Sequence, residues 1–378
     1  MDTASHFSII PVVLADLSSV FLGGQRQTLA LARALAASPT FSPLLAGLGG
    51  SPLLRAAGSE GLPILPLRPG RFFRFRAKAA LKKLLKEAAP CIAHSQDAQS
   101  AAMIADISSH NPGVVHIHTK REALPVPGGR KGAYLRGARA VAALSSSMGA
   151  LLAAGGVEGA RIRIIPSGID SAGCTKHRLR GDGRFIFAAG GELTPQNGHD
   201  ILIHALPFLY RFPDMPDWEV RFTGQGELLQ PLLDLALTLG VKGRLAFLGT
   251  QDNNLILPDC DAMIAPAVAD AVNGEDTGDP LREGWATGLP VIASNLLSHC
   301  EMVRDGENCL IYPMDDPETL ALHMADVARN ASLRERLTKA GAQALESCSD
   351  QDTAEAYMHL YLNFLSPKGR ERALLRNR

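Results

Sequence analysis

Short apolar runs alternate with segments of helical period along almost the whole chain, the pattern that parallel sheets covered by helices on both faces leave in a sequence. In the first half the runs fall at 9–14, 43–48, 62–67, 91–94, 114–118, 141–144 and 162–165. In the second half they fall at 185–188, 220–223, 245–248, 262–265, 291–293 and 310–312. Each is followed by a helix or turn signal, so the pattern predicts an α/β protein of two doubly wound, Rossmann-like domains facing across a cleft. Residues 171–183, rich in Gly, Lys, Arg and Asp and poor in apolar side chains, mark the linker. The expected division is a first domain over 1–175, a second over 184–350, a helix over 351–366 that packs back toward the first, and a frayed basic tail over 367–378. Helical spacing places Ala356, Leu360 and Phe364 on one stripe of that helix, which must dock on a core.

Composition supports two domains, since 378 residues exceed the roughly 250–300 at which one core stops growing. At 46% hydrophobic and 20% charged residues, the chain has the apolar content of an ordered protein. A net charge of zero argues against a general nucleic-acid binder, but it hides a division. Residues 1–182 carry 22 Lys+Arg against 10 Asp+Glu, and the remainder carries 16 against 28. Six cysteines without C-x-x-C spacing read as reduced packing residues rather than a zinc site or disulfide framework. The chain opens without a basic leader, and no apolar run approaches the roughly 18–20 residues that span a bilayer, so the expected membrane contact is peripheral.

The chemistry concentrates at 275–294. Glu275 and Glu283 are separated by seven residues, Pro280 suits a first helical turn, and a Gly-Leu-Pro turn leads into an apolar strand. Glu283 falls where a carboxylate favours a helix N-terminus, and the free backbone N–H groups there form an anion site. On the first half, Ala93-His94-Ser-Gln-Asp97 and Val115-His116-Ile-His118-Thr119 end two strands, and loops at the carboxyl ends of parallel strands face ligand. His94 and His118 are the candidates there, and a packed core histidine is the alternative reading for the His116–His118 pair.

Two glutamates flanking seven residues, together with Gly23-Gly24 and the helix after them, Ile164-Ile-Pro-Ser-Gly-Ile-Asp170, Gly190-Gly-Glu-Leu-Thr-Pro-Gln-Asn-Gly-His199 and Thr223-Gly-Gln-Gly-Glu227, resemble the retaining, nucleotide-sugar-dependent glycosyltransferases of the GT-B fold. That is the family 4-like group, "glycosyl transferases group 1". The resemblance implies transfer of a sugar, with retention, from a UDP-, GDP- or ADP-sugar cosubstrate to a hydroxyl acceptor, with no further cofactor or metal. It places the donor on the second domain, with Glu283 on the ribose hydroxyls and Gly23, Gly24, Gly190, Gly191, Asn197, Asp279, Pro280, Leu281 and Arg282 around the nucleotide. Either Glu275 or Asp279 then lies beside the donor sugar, and His118 and His94 lie near the transferring group. The sequence departs from the family at one point: the arginine and lysine that normally neutralise the leaving diphosphate are replaced by Glu192 and Asn197. Losing one such donor costs about 10²–10³ in rate, so Gly23-Gly24 and the helix start at 280–283 are the expected replacements.

One further segment is unusual. Residues 68–86 hold eight basic residues and three phenylalanines without an acid, and Arg71, Phe72, Phe73, Arg74 and Arg76 form a patch suited to an anionic surface. The expected acceptor is a cell-envelope glycolipid or lipopolysaccharide, and the expected place is the cytoplasm, peripheral at the inner face of the plasma membrane. The alternatives are a non-catalytic nucleotide-sugar-binding or regulatory protein and a GT-B sugar-nucleotide epimerase.

Overall fold

The computed structural model describes residues 9–21, 23–70, 72–121, 125–171, 173–178, 181, 183–249, 253–268, 279–296, 301–346 and 348–365. Among these the chain divides into two units, 1–168 with 350–378 and 169–349.

The first unit is a seven-stranded sheet of β1 (Ile10–Asp16), β2 (Phe41–Leu48), β3 (Ile64–Leu67), β4 (Cys91–Ser95), β5 (Val114–Lys120), β6 (Ala140–Ala143) and β7 (Ile162–Ile164). The order is β3-β2-β1-β4-β5-β6-β7, with parallel pairing at every step. Every residue of β4, β5 and β6 is buried, which is why these strands read as continuous apolar runs rather than alternating ones. Helices α1 (Gly23–Ala37), α2 (Pro52–Ser59), α3 (Phe73–Ala88), α4 (Ala98–Ser109), α5 (Ala133–Gly137) and α6 (Ser146–Ala154) connect them. Their starts are set by side chains that satisfy orphan N–H groups. Ser51 accepts from Leu54, with Pro52 in the first turn of α2; Asp97 accepts from Gln99 and Ser100; Ser145 accepts from Met148.

The second unit repeats the plan with β8 (Arg184–Gly190), β9 (Asp217–Thr223), β10 (Leu245–Phe247), β11 (Ala262–Ala265), β12 (Val291–Ser294) and β13 (Leu310–Tyr312), ordered β10-β9-β8-β11-β12-β13 and again parallel. Its helices are α7 (His199–Leu209), α8 (Leu229–Thr238), α9 (Asn253–Ile256), α10 (Asp279–Thr287), α11 (Pro317–Arg329) and α12 (Ala331–Ala344). In each sheet the strand order reverses beside its first strand, at β1/β4 and at β8/β11, and the crevice outside the carboxyl ends there is the general ligand position of this architecture.

Helix α13 (Asp350–Leu365) completes the first unit. It buries Ala354, Tyr357, Leu360, Tyr361 and Leu365 against Leu14, Leu35, Phe41 and Ile92. The expected stripe of Ala356, Leu360 and Phe364 is therefore rotated: Leu360 is on the buried face, while Ala356 and Phe364 are only half-buried at its margin. Two tyrosines take the central positions because their hydroxyls find partners inside the unit, which spacing alone does not reveal.

Close packing in the second unit depends on two glycines. A Cβ on Gly284 of α10 would lie 2.8 Å from Met263 Cβ and 2.9 Å from Val291 Cγ2. One on Gly341 of α12 would lie 2.2 Å from Cδ1 of the buried Trp285, whose Nε1 donates to the Asn308 carbonyl at 3.0 Å. Gly284→Val should therefore destabilise the second unit by about 1–3 kcal/mol through overpacking, whereas Gly243→Ala, with open space around it, should stay within about 0.5 kcal/mol. Denaturant midpoints of the two variants check this.

Candidate active site

At the carboxyl edge of the first sheet, Asp16 ends β1 and is 1% exposed. Its Oδ1 accepts from the Ser18 N–H at 3.0 Å and its Oδ2 from Gln25 Nε2 at 3.2 Å. Burial raises its pKa, the neighbouring Asp97 adds to the rise, and the Ser18 N–H and Arg121 oppose it. Gly24, in the first turn of α1, lies against Arg121, since a Cβ there would meet the Arg121 side chain at 3.0 Å.

Arg121, just past the end of β5, was passed over in the sequence. It is 8% exposed and donates to neutral acceptors: Gln27 Oε1 at 2.7 Å and Gln96 Oε1 at 2.8 Å, with Thr28 Oγ1 more distant at 3.5 Å. Its Nε has no hydrogen-bond partner among the described residues. A buried guanidinium held by amides beside a glycine-rich helix start is an arrangement that favours an anion. The signal was a cation directly after a strand rich in histidine and apolar residues, where it has no surface to occupy.

His94, His116 and His118 are buried at the ends of β4 and β5. His94 Nδ1 is hydrogen-bonded to the Tyr361 hydroxyl at 2.6 Å and Nε2 to Thr119 Oγ1 at 2.7 Å, and Thr119 Oγ1 in turn to the Tyr357 hydroxyl at 2.8 Å. Ser95 Oγ joins the other two, at 2.9 Å from His116 Nε2 and 2.9 Å from His118 Nδ1. The ring of Tyr134 stands edge-on against His118, with centroids 5.4 Å apart. Burial, reinforced by nearby positive groups, pushes the pKa of His94 well down and those of His116 and His118 down to about 3, so all three are neutral near pH 7. His94 and His118 thus share one buried cluster, with His94 engaged through both ring nitrogens.

In the second unit, β8 ends at Gly190, and Gly191 takes φ +106°, a backbone region closed to most side chains. Asn197 Nδ2 donates to the Glu192 carbonyl at 2.7 Å, so Asn197 holds the loop together, while the Glu192 side chain is exposed. A Cβ on Gly198 would meet the Pro266 carbonyl at 2.1 Å, which fixes this loop against the end of β11. Glu283 lies half-buried on α10 and accepts from Asn253 Nδ2 at 2.6 Å. Asn253, in α9, is a second residue the sequence did not single out; nothing in its local spacing marks it. Leu281 is fully buried in the core, its side chain turned away from solvent, and Arg282 is 2% exposed. Asp279 begins α10, with Pro280 in its first turn. Glu275 lies outside the described residues, as does Arg71.

The basic segment is more ordered than a loop. Phe73 begins α3 and packs on the core with Ala77, Leu81 and Leu85, and Lys78 pairs with Asp106 at 2.6 Å. Phe72 and Phe75 are 59% and 79% exposed, and Arg74 and Arg76 are exposed beside them. Among the described residues no helix is long and apolar enough to cross a membrane, and no His, Cys, Asp and Glu cluster has metal-site geometry.

Two parallel, doubly wound units with glycine loops at the carboxyl edges define the GT-B architecture. The family "Glycosyl transferases group 1" matches residues 175–344, and "Glycosyltransferase Family 4" matches residues 22–172. The chain belongs to the GT-B, family 4-like glycosyltransferases. It is 31% identical over 179 residues to a lipopolysaccharide core biosynthesis glycosyltransferase of Rhizobium meliloti, covering 47% of this chain and 48% of the relative. It is 32% identical over 213 residues to the phosphatidyl-myo-inositol mannosyltransferase of Mycobacterium tuberculosis, covering 52% and 53%. The matched stretch spans about half the length of these curated relatives. In fold it is similar to Anabaena HepE, solved with UDP and glucose, at a TM-score of 0.80 and 16% identity over 94% of this chain and 99% of that one.

Each of the three histidines binds a proton more readily in the unfolded chain, near the ordinary 6.5, than in the fold. Their stabilising effect is complete above pH 6.5 and is lost progressively as the pH falls toward 3. Urea midpoints should therefore drop between pH 7 and pH 5, and His116→Gln should make the drop shallower. A midpoint that stays constant over this range contradicts the buried, neutral assignment.

Proposed function

We propose that the protein transfers a hexosyl group, with retention, from a nucleotide sugar to a hydroxyl of an envelope glycolipid or lipopolysaccharide. The observation that carries this reading is Glu283, half-buried in the first turns of α10 in the unit matched as a group 1 transferase and oriented by Asn253 at 2.6 Å. An ionised carboxylate fixed in this way pairs with two vicinal ribose hydroxyls, and Gly190-Gly191 lets a phosphate approach the backbone closely. UDP bound to HepE, and the lipopolysaccharide and phosphatidylinositol chemistry named for the two relatives, support the donor and acceptor classes.

In this reading His118 lies on the acceptor side with His94 behind it, held through both ring nitrogens, Glu275 or Asp279 holds the donor sugar, and Arg121 with the amides of Gly23 and Gly24 forms an anion-binding group of the first unit. The exposed Phe72, Phe75, Arg74 and Arg76 give peripheral contact with an anionic membrane. The second reading, nucleotide-sugar binding without transfer, is favoured by Asn197, which is committed to its own loop and contributes no charge.

A panel of UDP-, GDP- and ADP-sugars, followed by proton NMR of the anomeric signal, decides between them. Transfer with the donor's configuration kept is expected; nucleotide binding without turnover supports the second reading. Glu283→Gln should weaken nucleotide binding about 10- to 100-fold in calorimetry with the melting temperature unchanged. Arg121→Gln, which removes the buried cation of the first unit, should lower kcat/KM about tenfold or more.

A further inference from the structure

The first unit contains an open cavity of about 1100 Å³, which lies along α4 and reaches α5 and β5. It is slightly larger than the roughly 300–1,000 Å³ typical of small-molecule sites. One wall is a small-residue face of α4, with Ala98, Ala102 and Ala105 at i, i+4 and i+7, and it would be too narrow for a chain if these were large. Three arginines line the space: Arg74 from α3, Arg130 before α5, and Arg139 before β6. The one acid among the lining residues, Asp106, is already paired with Lys78 at 2.6 Å, so the positive charge in the cavity is not offset by its own wall.

A further, independent sign of a ligand comes from inside the unit. His116, 1% exposed, borders the cavity, and its Nδ1 has no hydrogen-bond partner among the described residues while its Nε2 is held by Ser95 Oγ. Such an orphaned buried nitrogen is uncommon in a finished core and is satisfied when a polar group enters. Tyr134 lines the same cavity and stands edge-on against His118, so the inner end of the space lies one aromatic ring from the candidate acceptor histidine. Arg139 lies over the Phe364 ring at 6.0 Å, which gives that part of the wall a flat apolar surface and a cationic edge.

We infer that this cavity binds the phosphorylated lipid portion of the acceptor, with the alkyl chain against the alanine face of α4 and the phosphate on Arg130 and Arg139. Inorganic phosphate alone would leave the apolar wall wet, and a neutral alkyl glycoside would leave the arginines unpaired. Arg74 connects the cavity to the exposed Phe72 and Phe75, from which a lipid could enter. The inference rests on reading the first unit as the acceptor half, and it can be tested without turnover.

The test is calorimetric titration of the full chain with dodecyl phosphate below its micellar concentration, with inorganic phosphate and dodecyl maltoside as separate arms. Saturable binding of one dodecyl phosphate per chain is expected, at least tenfold tighter than either control. Arg130→Ala with Arg139→Ala should weaken it about tenfold or more. Ala102→Trp, at an exposed helix position where folding is not at risk, should weaken it similarly by filling the space. Thermal melts and UDP titration on the same variants should match the parent. No saturable binding, equal binding of all three probes, or values within twofold for both variants overturns the inference. Sugar transfer without dodecyl phosphate binding removes the cavity and leaves the transferase reading intact; binding without transfer does the reverse.

Discussion

A parallel sheet covered by helices on both faces has nowhere to put a reactive polar group except the ends of its strands. Both units obey this constraint. In the first, β4, β5 and β6 are buried at every residue, and the groups able to do chemistry, Asp16, His94, His118 and Arg121, stand at or just past the carboxyl ends. The histidines there are held by hydroxyls rather than carboxylates, from Ser95, Thr119 and Tyr361, which is why burial wins and they stay neutral. A neutral imidazole donates at one nitrogen and accepts at the other, and in His94 both are taken, by Tyr361 and Thr119.

The same constraint sharpens the electrostatic problem of the second unit. Its glycine loop leaves the carboxyl end of β8 through Gly191 at φ +106°, Asn197 gives its amide to the Glu192 carbonyl, and the Glu192 side chain is exposed. The loop, residues 190–198, carries no cation. Arg121 in the first unit is the converse: a buried cation, bound by amides, at a glycine-rich helix start. The opposed charge of the two halves of the chain parallels this difference.

The thirteen strand positions and the glycine loop after β8 were legible because each is encoded locally, by a run of apolar residues or by a turn that favours glycine, as at Gly191 and Gly198. Glu283 was legible for the same reason, since Pro280 and a helix start fix its place. The partners of these residues were not legible. Asn253 lies 30 positions from Glu283 and Tyr361 lies 267 from His94, and no periodicity connects residues so far apart. The face of α13 was misjudged because aliphatic spacing undervalues tyrosines whose hydroxyls are satisfied in the core. Phe73 looked like surface because the basic residues around it hide a single half-buried side chain that packs on the core.

What the sequence by itself determined was the architecture and the family, since hydrophobic period, glycine turns and motif order are properties of neighbours along the chain. What only the tertiary structure decided was the state of the site: that three histidines are buried and neutral, that Arg121 is buried with its hydrogen bonds on the amides of Gln27 and Gln96, and that alanines of α4 line a cavity edged by three arginines. Burial, charge pairing and empty space are relations among residues from many elements, and they exist only once the sheet has brought those elements together.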